Sequence, residues 1–247
     1  MNKALILASS TLLLAASAFA DVHLGARASL GYASFWGLEE EYNIEEDDGN
    51  YSYKGSIKGL DGFSGFSFSF GLASYFAINE AVSISPNFLI SHHSRSNKLK
   101  ESYEEYYKGE LEDRDEDESP EVTLSMWNIE IPVLGTFNLG PVFLEAGPII
   151  SFNVSAEASV DNPKGGDISV EIDDYTSSVN FGLVFGLGKR IPLGDKALDI
   201  DARFTLGITS LTSDDADDWL DRTYEDYAPD DRPSDFIIHV GATYWFM

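Results

Sequence analysis

Leu198-Asp199-Ile200-Asp201-Ala202-Arg203-Phe204-Thr205-Leu206-Gly207-Ile208 alternates without a break: even positions are apolar, odd positions charged, hydroxylated or glycine. A period of two belongs to a β-strand, whose successive side chains point to opposite faces. Here the two faces demand different surroundings, since one is bulky and apolar while the other carries Asp199, Asp201 and Arg203. A water-soluble barrel would turn the apolar face inward and leave the small and charged face as its surface. A strand that crosses a bilayer turns the apolar face to lipid and the polar face to the barrel interior.

The same alternation recurs along the chain. Val22 to Tyr32, Phe66 to Leu72, Val82 to Ser91, Val142 to Asn153, Val179 to Gly188 and Phe236 to Phe246 each oppose an apolar face to one rich in Gly, Ser and charge. Val122 to Asn138 is mixed: Val122, Leu124 and Met126 share one parity, and Ile129, Ile131, Val133 and Phe137 the other. Either a β-bulge near Met126-Trp127 flips the facing, or the upper half of a long strand stands clear of the bilayer. With this segment the strands number eight.

The connections sort by length. Ala77-Ile78-Asn79, Leu139-Gly140 and Pro192-Leu193-Gly194-Asp195-Lys196 are short, whereas 36–62, 92–121, 155–178 and 213–235 are long. Short turns on one side and long loops on the other mark an outer-membrane barrel. The expected fold is all-β, an eight-stranded antiparallel up-and-down transmembrane β-barrel; a soluble lipocalin-like barrel is the alternative set aside. A closed sheet pairs every backbone group within the bilayer.

Composition narrows the function. A formal charge of −26 over 247 residues lacks the basic footprint of a nucleic-acid binder. With no Cys, thiol catalysis, Cys-ligated metal and a lipoprotein anchor are ruled out. Residues 1–20 read as a secretory signal: Lys3 begins it, an apolar stretch follows, and Ala18-Phe19-Ala20 forms the cleavage site. Export through the Sec pathway should leave 21–247 as one barrel domain in the bacterial outer membrane, monomeric and ringed by lipid. Tyr32, Phe35 and Trp36 should form an outer aromatic girdle, and Phe76, Phe137, Tyr244 and Phe246 an inner one.

An eight-stranded barrel has an interior narrow enough for side chains to fill. Inward Gly and Ser leave room for Arg27, Glu130, Glu145, Arg190, Asp199, Asp201, Arg203 and His239. Charges in so confined a space are tolerated when paired, so these residues are expected to plug the lumen as a salt-bridge network. A narrow proton or ion pore is the alternative.

His239-Val240-Gly241-Ala242-Thr243-Tyr244-Trp245-Phe246 resembles the terminal insertion signal of bacterial outer-membrane barrels, with His239, Gly241, Tyr244 and Phe246 at its marked positions; Met247 after the aromatic is a departure. That resemblance implies that the outer-membrane assembly machinery reads this strand. Ile129-Glu130-Ile131-Pro132-Val133-Leu134 and Phe143-Leu144-Glu145-Ala146-Gly147-Pro148 are similar to adjacent strands of PorT-like outer-membrane β-barrel domains. In architecture the chain also resembles small OmpX- and OmpA-like barrels, which implies a role in adhesion or envelope integrity and assigns no ligand.

The long connections hold 35 of the 42 acidic residues. Asp47, Asp48, Asp115, Asp117, Asp214, Asp215, Asp217 and Asp218 are candidate ligands for loosely bound calcium, since hard carboxylates suit that ion; a solvated, self-repelling surface is the plainer expectation. No other cofactor is expected. Tyr42, Tyr51, Tyr53, Tyr103, Tyr106, Tyr107, Trp219, Tyr224 and Tyr227 interleave with the acids, where they either anchor an extracellular or envelope partner or pack on each other as strand extensions above the membrane. His92-His93-Ser94-Arg95 is weighed as an enzymatic site of protease or acyltransferase type at the rim, against a polar strand terminus. The function expected is structural or surface binding, not catalysis.

Overall fold

The computed structural model describes residues 22–37, 41–161, 168–213 and 232–246. Eight long strands form the barrel: β1 (Val22–Trp36), β4 (Ser64–Ala77), β5 (Val82–Asn97), β8 (Val122–Leu139), β9 (Val142–Val160), β11 (Val179–Leu193), β12 (Lys196–Gly207) and β13 (Ser234–Trp245). All neighbours are antiparallel, and β8 pairs with β9 to close the ring, so none of these strands is left as an edge.

Exposure shows which way the barrel faces. Leu30, Leu72 and Val240 are each more than 60% exposed, while Ser67, Ser91 and Arg95 are completely buried. Apolar side chains therefore clothe the outside and polar ones fill the inside, the reverse of a lipocalin-like barrel. The interior is not wholly polar, because Leu134, Ile149 and Val184 form an apolar layer within it.

At the turns, Gly140 and Gly194 take the positive φ that tight hairpins require (74° and 75°). The turn after β11 is only Gly194-Asp195; Pro192, Leu193 and Lys196, expected in the connection, extend the strands.

The mixed segment resolves through its neighbour. Along β8, Met126, Asn128, Glu130, Leu134 and Thr136 are buried at one unbroken parity. The extra residue lies opposite, on β9: Trp127 faces Ser155 and Asn128 faces Asn153, so Val154 is left over. A bulge near Met126-Trp127 was the right height on the wrong strand.

The long connections carry strands of their own. Within 36–62 lie β2 (Glu41–Asp47) and β3 (Tyr51–Lys58), and within 92–121 lie β6 (Lys100–Tyr107) and β7 (Glu110–Glu118). They form a separate four-stranded antiparallel sheet in the order β2-β3-β6-β7. At the described positions of β3, β6 and β7 both faces meet solvent, so these strands lack the apolar period that reveals a half-buried strand. The 155–178 connection also contributes β10 (Ile168–Glu171), which pairs with the top of β9. The signal segment 1–20 lies outside the described residues.

Candidate functional site: the interior polar column

A single row of paired positions crosses seven strands: Glu145, Gly186, Arg203, His239, Gly31, Ser67 and His93. The glycines in this row let longer side chains reach over them. Arg203 Nε donates to Glu145 Oε1 at 2.5 Å, spanning Gly186, where a Cβ would sit 2.6 Å from that same oxygen. His239 likewise leans across Gly31 to Ser67, its Nε2 2.6 Å from Oγ.

Around this row the expected residues find partners. Arg27 grips Asp201 with two hydrogen bonds of 2.5 and 2.7 Å and gives another, at 3.2 Å, to Thr243. Asp201 also lies 3.4 Å from Arg203 Nε, so it sits between two guanidiniums. Arg27 reaches over Gly241, which thereby has a clearance role besides its place in the terminal signal. Toward the turn end, Arg190 binds Asp199 through two bonds of 2.8 and 2.7 Å, and Trp245 Nε1 donates to the same carboxylate at 2.8 Å. The Arg190 guanidinium also lies 4.8 Å from the Tyr75 ring centre.

Several interior participants were not among the expected ones. Glu130 meets neither His239 nor an arginine directly; it accepts from Ser91 at 2.7 Å and lies 3.1 Å from His93 Nε2. His93 Nδ1 in turn is 2.7 Å from Ser67 Oγ, which links the two histidines. Further out, Arg95 is bonded to Asp235 and lies 4.5 Å over Phe35. Phe35 therefore turns into the lumen rather than joining the outer girdle; Tyr32, Phe137, Tyr244 and Phe246 are exposed outward. His93 and Arg95 share odd parity with Ser83, Ser85, Asn87 and Ser91, a period-two signal that continues into the 92–121 connection.

The histidine pair separates by facing. His92 points outward, in a cluster with Phe68 and Trp127 whose ring centres lie 5.4 and 4.6 Å away. His93 has its carboxylate, that of Glu130, but its side chain is only 1% exposed. Two cavities of about 20 Å³ each adjoin the column, room for a water molecule or two.

Among the described residues no group of three or more His, Asp or Glu side chains converges. Asp47 and Asp48 serve the β2–β3 turn: Asp47 accepts from the Gly49 amide (2.7 Å), and Asp48 from those of Tyr51 (2.7 Å) and Asn50 (3.0 Å). Asp115 is exposed on β7, where Asp117 also lies in the strand. Asp214, Asp215, Asp217 and Asp218 lie outside the described residues, as do Trp219, Tyr224 and Tyr227.

The amides of Tyr51 and then Asn50 hold the Asp48 carboxyl below its ordinary value. A depressed folded-state value stabilises the turn above the ordinary Asp pKa of about 4, and that contribution is lost as pH falls through the lowered value. Amide-exchange protection at Asn50 and Tyr51 should therefore persist at neutral pH and fall on acidification below about 4. In Asp48→Ala this acid step should be missing.

The chain matches the outer membrane protein beta-barrel domain over residues 20–213, well over half its length. The match stops short of β13, the strand between β12 and β1. Among solved structures, the chain is similar to Neisserial surface protein A at 15% identity, covering 91% of this chain and 97% of that one, with a TM-score of 0.40. It is similar to Ail, the attachment invasion locus protein of Yersinia pestis, at 13% identity, with 90% and 99% covered and a TM-score of 0.32. The outer membrane protease OmpT of Escherichia coli is similar at 9% identity, with 92% and 95% covered and a TM-score of 0.29. No curated protein matches the chain. By its closed inside-out barrel and its family match, the chain belongs to the outer membrane protein beta-barrel domain family, and its place is the bacterial outer membrane.

Proposed function

We propose that this protein is a monomeric, non-conducting and non-catalytic outer-membrane barrel that holds an acidic binding surface outside the cell. The observation that carries this reading is the pairing inside the lumen. Asp199, Asp201, Glu145 and Asp235 each have a guanidinium, and Glu130 has His93 and Ser91. A charge fixed to its partner and dehydrated by burial is not available to coordinate a passing ion. Burial of His93 and Ser67 likewise weighs against the enzymatic alternative, because catalytic side chains have to meet their substrate. In this reading the signal at 1–20 directs Sec export, the machinery that assembles outer-membrane barrels reads the β13 signal, and the barrel is of PorT-like kind. The acidic outer segments then carry the function, toward an extracellular or envelope partner.

Planar-bilayer recording tests the closed lumen. The intact protein should insert with no steady conductance above background. Large, steady single-channel steps would overturn the proposal in favour of a pore.

A further inference from the structure

The four-stranded outer sheet has two chemically different faces. Tyr51 lies opposite Tyr107, Tyr53 opposite Glu105 and Gly55 opposite Tyr103. Continuing across, Tyr107 faces Glu110, Glu105 faces Asp113 and Tyr103 faces Asp115. Residues directly opposite in a ladder share one face, so these positions make a surface of tyrosines and carboxylates. At the described positions of β3, β6 and β7 on that face there is no lysine or arginine. The reverse face mixes signs: Lys54 lies opposite Glu104, and Glu104 opposite Arg114.

The tyrosine face is built rather than merely acidic. Tyr51 and Tyr107 meet with ring centres 4.7 Å apart, and Tyr53 and Tyr103 stack at 6.2 Å. Tyr51 remains 59% exposed, and Glu105, Glu110, Asp113 and Asp115 are exposed around the rings. The negative field is strong enough to act on the face itself: Asp113 foremost, with desolvation, Asp115 and Glu105 behind it, pushes the Tyr103 phenol above its ordinary value. A cation already uses one ring, since Lys108 Nζ lies 4.9 Å from the centre of Tyr107.

We infer that this face docks an extended arginine-rich segment of a partner protein, a reading that rests on the proposed surface-binding role. Guanidinium is the group that both stacks on an aromatic ring and forks onto a carboxylate. Tyr51 and Tyr53 stand two residues apart on β3, and alternate side chains of an extended strand repeat at about 6.6 Å. A partner strand with cations at alternate positions therefore matches the spacing of the rings. Sulfated or phosphorylated ligands are repelled by the carboxylates. A second copy of this chain brings the same excess of negative charge, −26 in all.

The test uses the full chain in detergent micelles with labelled nona-arginine, nona-lysine and nona-glutamate. Nona-arginine should bind more tightly than nona-lysine, and nona-glutamate should not bind. The pair Tyr51→Ser and Tyr107→Ser leaves net charge unchanged and should weaken nona-arginine binding roughly tenfold. Tyr51→Phe with Tyr107→Phe keeps the rings and should retain binding, which separates loss of stacking from loss of the sheet. Asp113→Asn with Asp115→Asn should also weaken it, whereas Glu80→Gln with Asp195→Asn, the same charge loss at the short turns, should not. Equal binding of arginine and lysine peptides, indifference to the serine pair, or a concentration-dependent dimer would overturn the inference. Bilayer recordings on the same preparations keep the outcomes apart, because a closed barrel that ignores the peptides defeats only the docking face.

Discussion

Arg203→Ala is expected to lower the unfolding free energy of the barrel by about 3–5 kcal/mol, the usual cost of stranding a buried charge. Glu145 keeps only 3% of its side chain exposed, and its hydrogen bonds to Arg203 are those of 2.5 and 3.2 Å. Asp201 loses its second cation, 3.4 Å away, but retains the two bonds from Arg27. Urea unfolding from lipid vesicles, followed by tryptophan fluorescence and by gel mobility before and after boiling, reads the change. Combining Arg203→Met with Glu145→Leu removes both charges and should restore most of the loss, since apolar replacements of a buried pair are often neutral or stabilising. A single substitution costing under about 1 kcal/mol would place this pair in the range of solvated surface ion pairs. The lumen would then be wet, and the closed-barrel proposal would fail with it.

Gly186→Val should cost about as much without touching a charged residue. A Cβ at this position lies 2.6 Å from Glu145 Oε1, 2.8 Å from its Cγ and 3.1 Å from its Cδ. The carboxylate has to move, and moving it breaks the bond to Arg203; the extra methyl groups add an overpacking cost of about 1–3 kcal/mol. The two lesions share one interaction, so they should not add. On the Arg203→Ala background, Gly186→Val should cost markedly less than on the native one, a coupling that a double-mutant cycle measures. Gly135→Ala is the control: its nearest neighbour, the Ala146 carbonyl, is 3.6 Å away and the position faces outward, so stability should change little. Equal losses at Gly186 and Gly135 would mean that strand flexibility, and not clearance for the ion pair, is what glycine supplies.

Much of this is legible in the sequence alone. Period two assigned Arg27, Glu145, Asp199, Asp201 and Arg203 to one face of their strands, and the side chains of all five lie inside. That inward glycines make room for large polar neighbours also followed from an interior too narrow for both. Extending the parity of Ser83, Ser85, Asn87 and Ser91 by four residues would have brought in His93 and Arg95. The extension was obscured because charge and histidine at the end of a strand look the same as the start of a loop.

Period says which way a side chain points and nothing about what stands beside it. Arg203 and Glu145 are 58 residues apart, and Ser67 and His239 are 172 apart. They meet because ring closure and the stagger between strands set which positions share a row, and that stagger belongs to the whole barrel. The leftover Val154 makes the same point, since a parity conflict read on β8 was settled by an extra residue on β9. The outer sheet was hidden for a different reason. At their described positions β3, β6 and β7 bury no apolar row, and pairing is what distinguishes the sheet from acidic loops. Facing was thus determined residue by residue along the chain, whereas partnership waited on closure, because hydrogen bonding between distant strands, and not local chemistry, decides which side chains are neighbours.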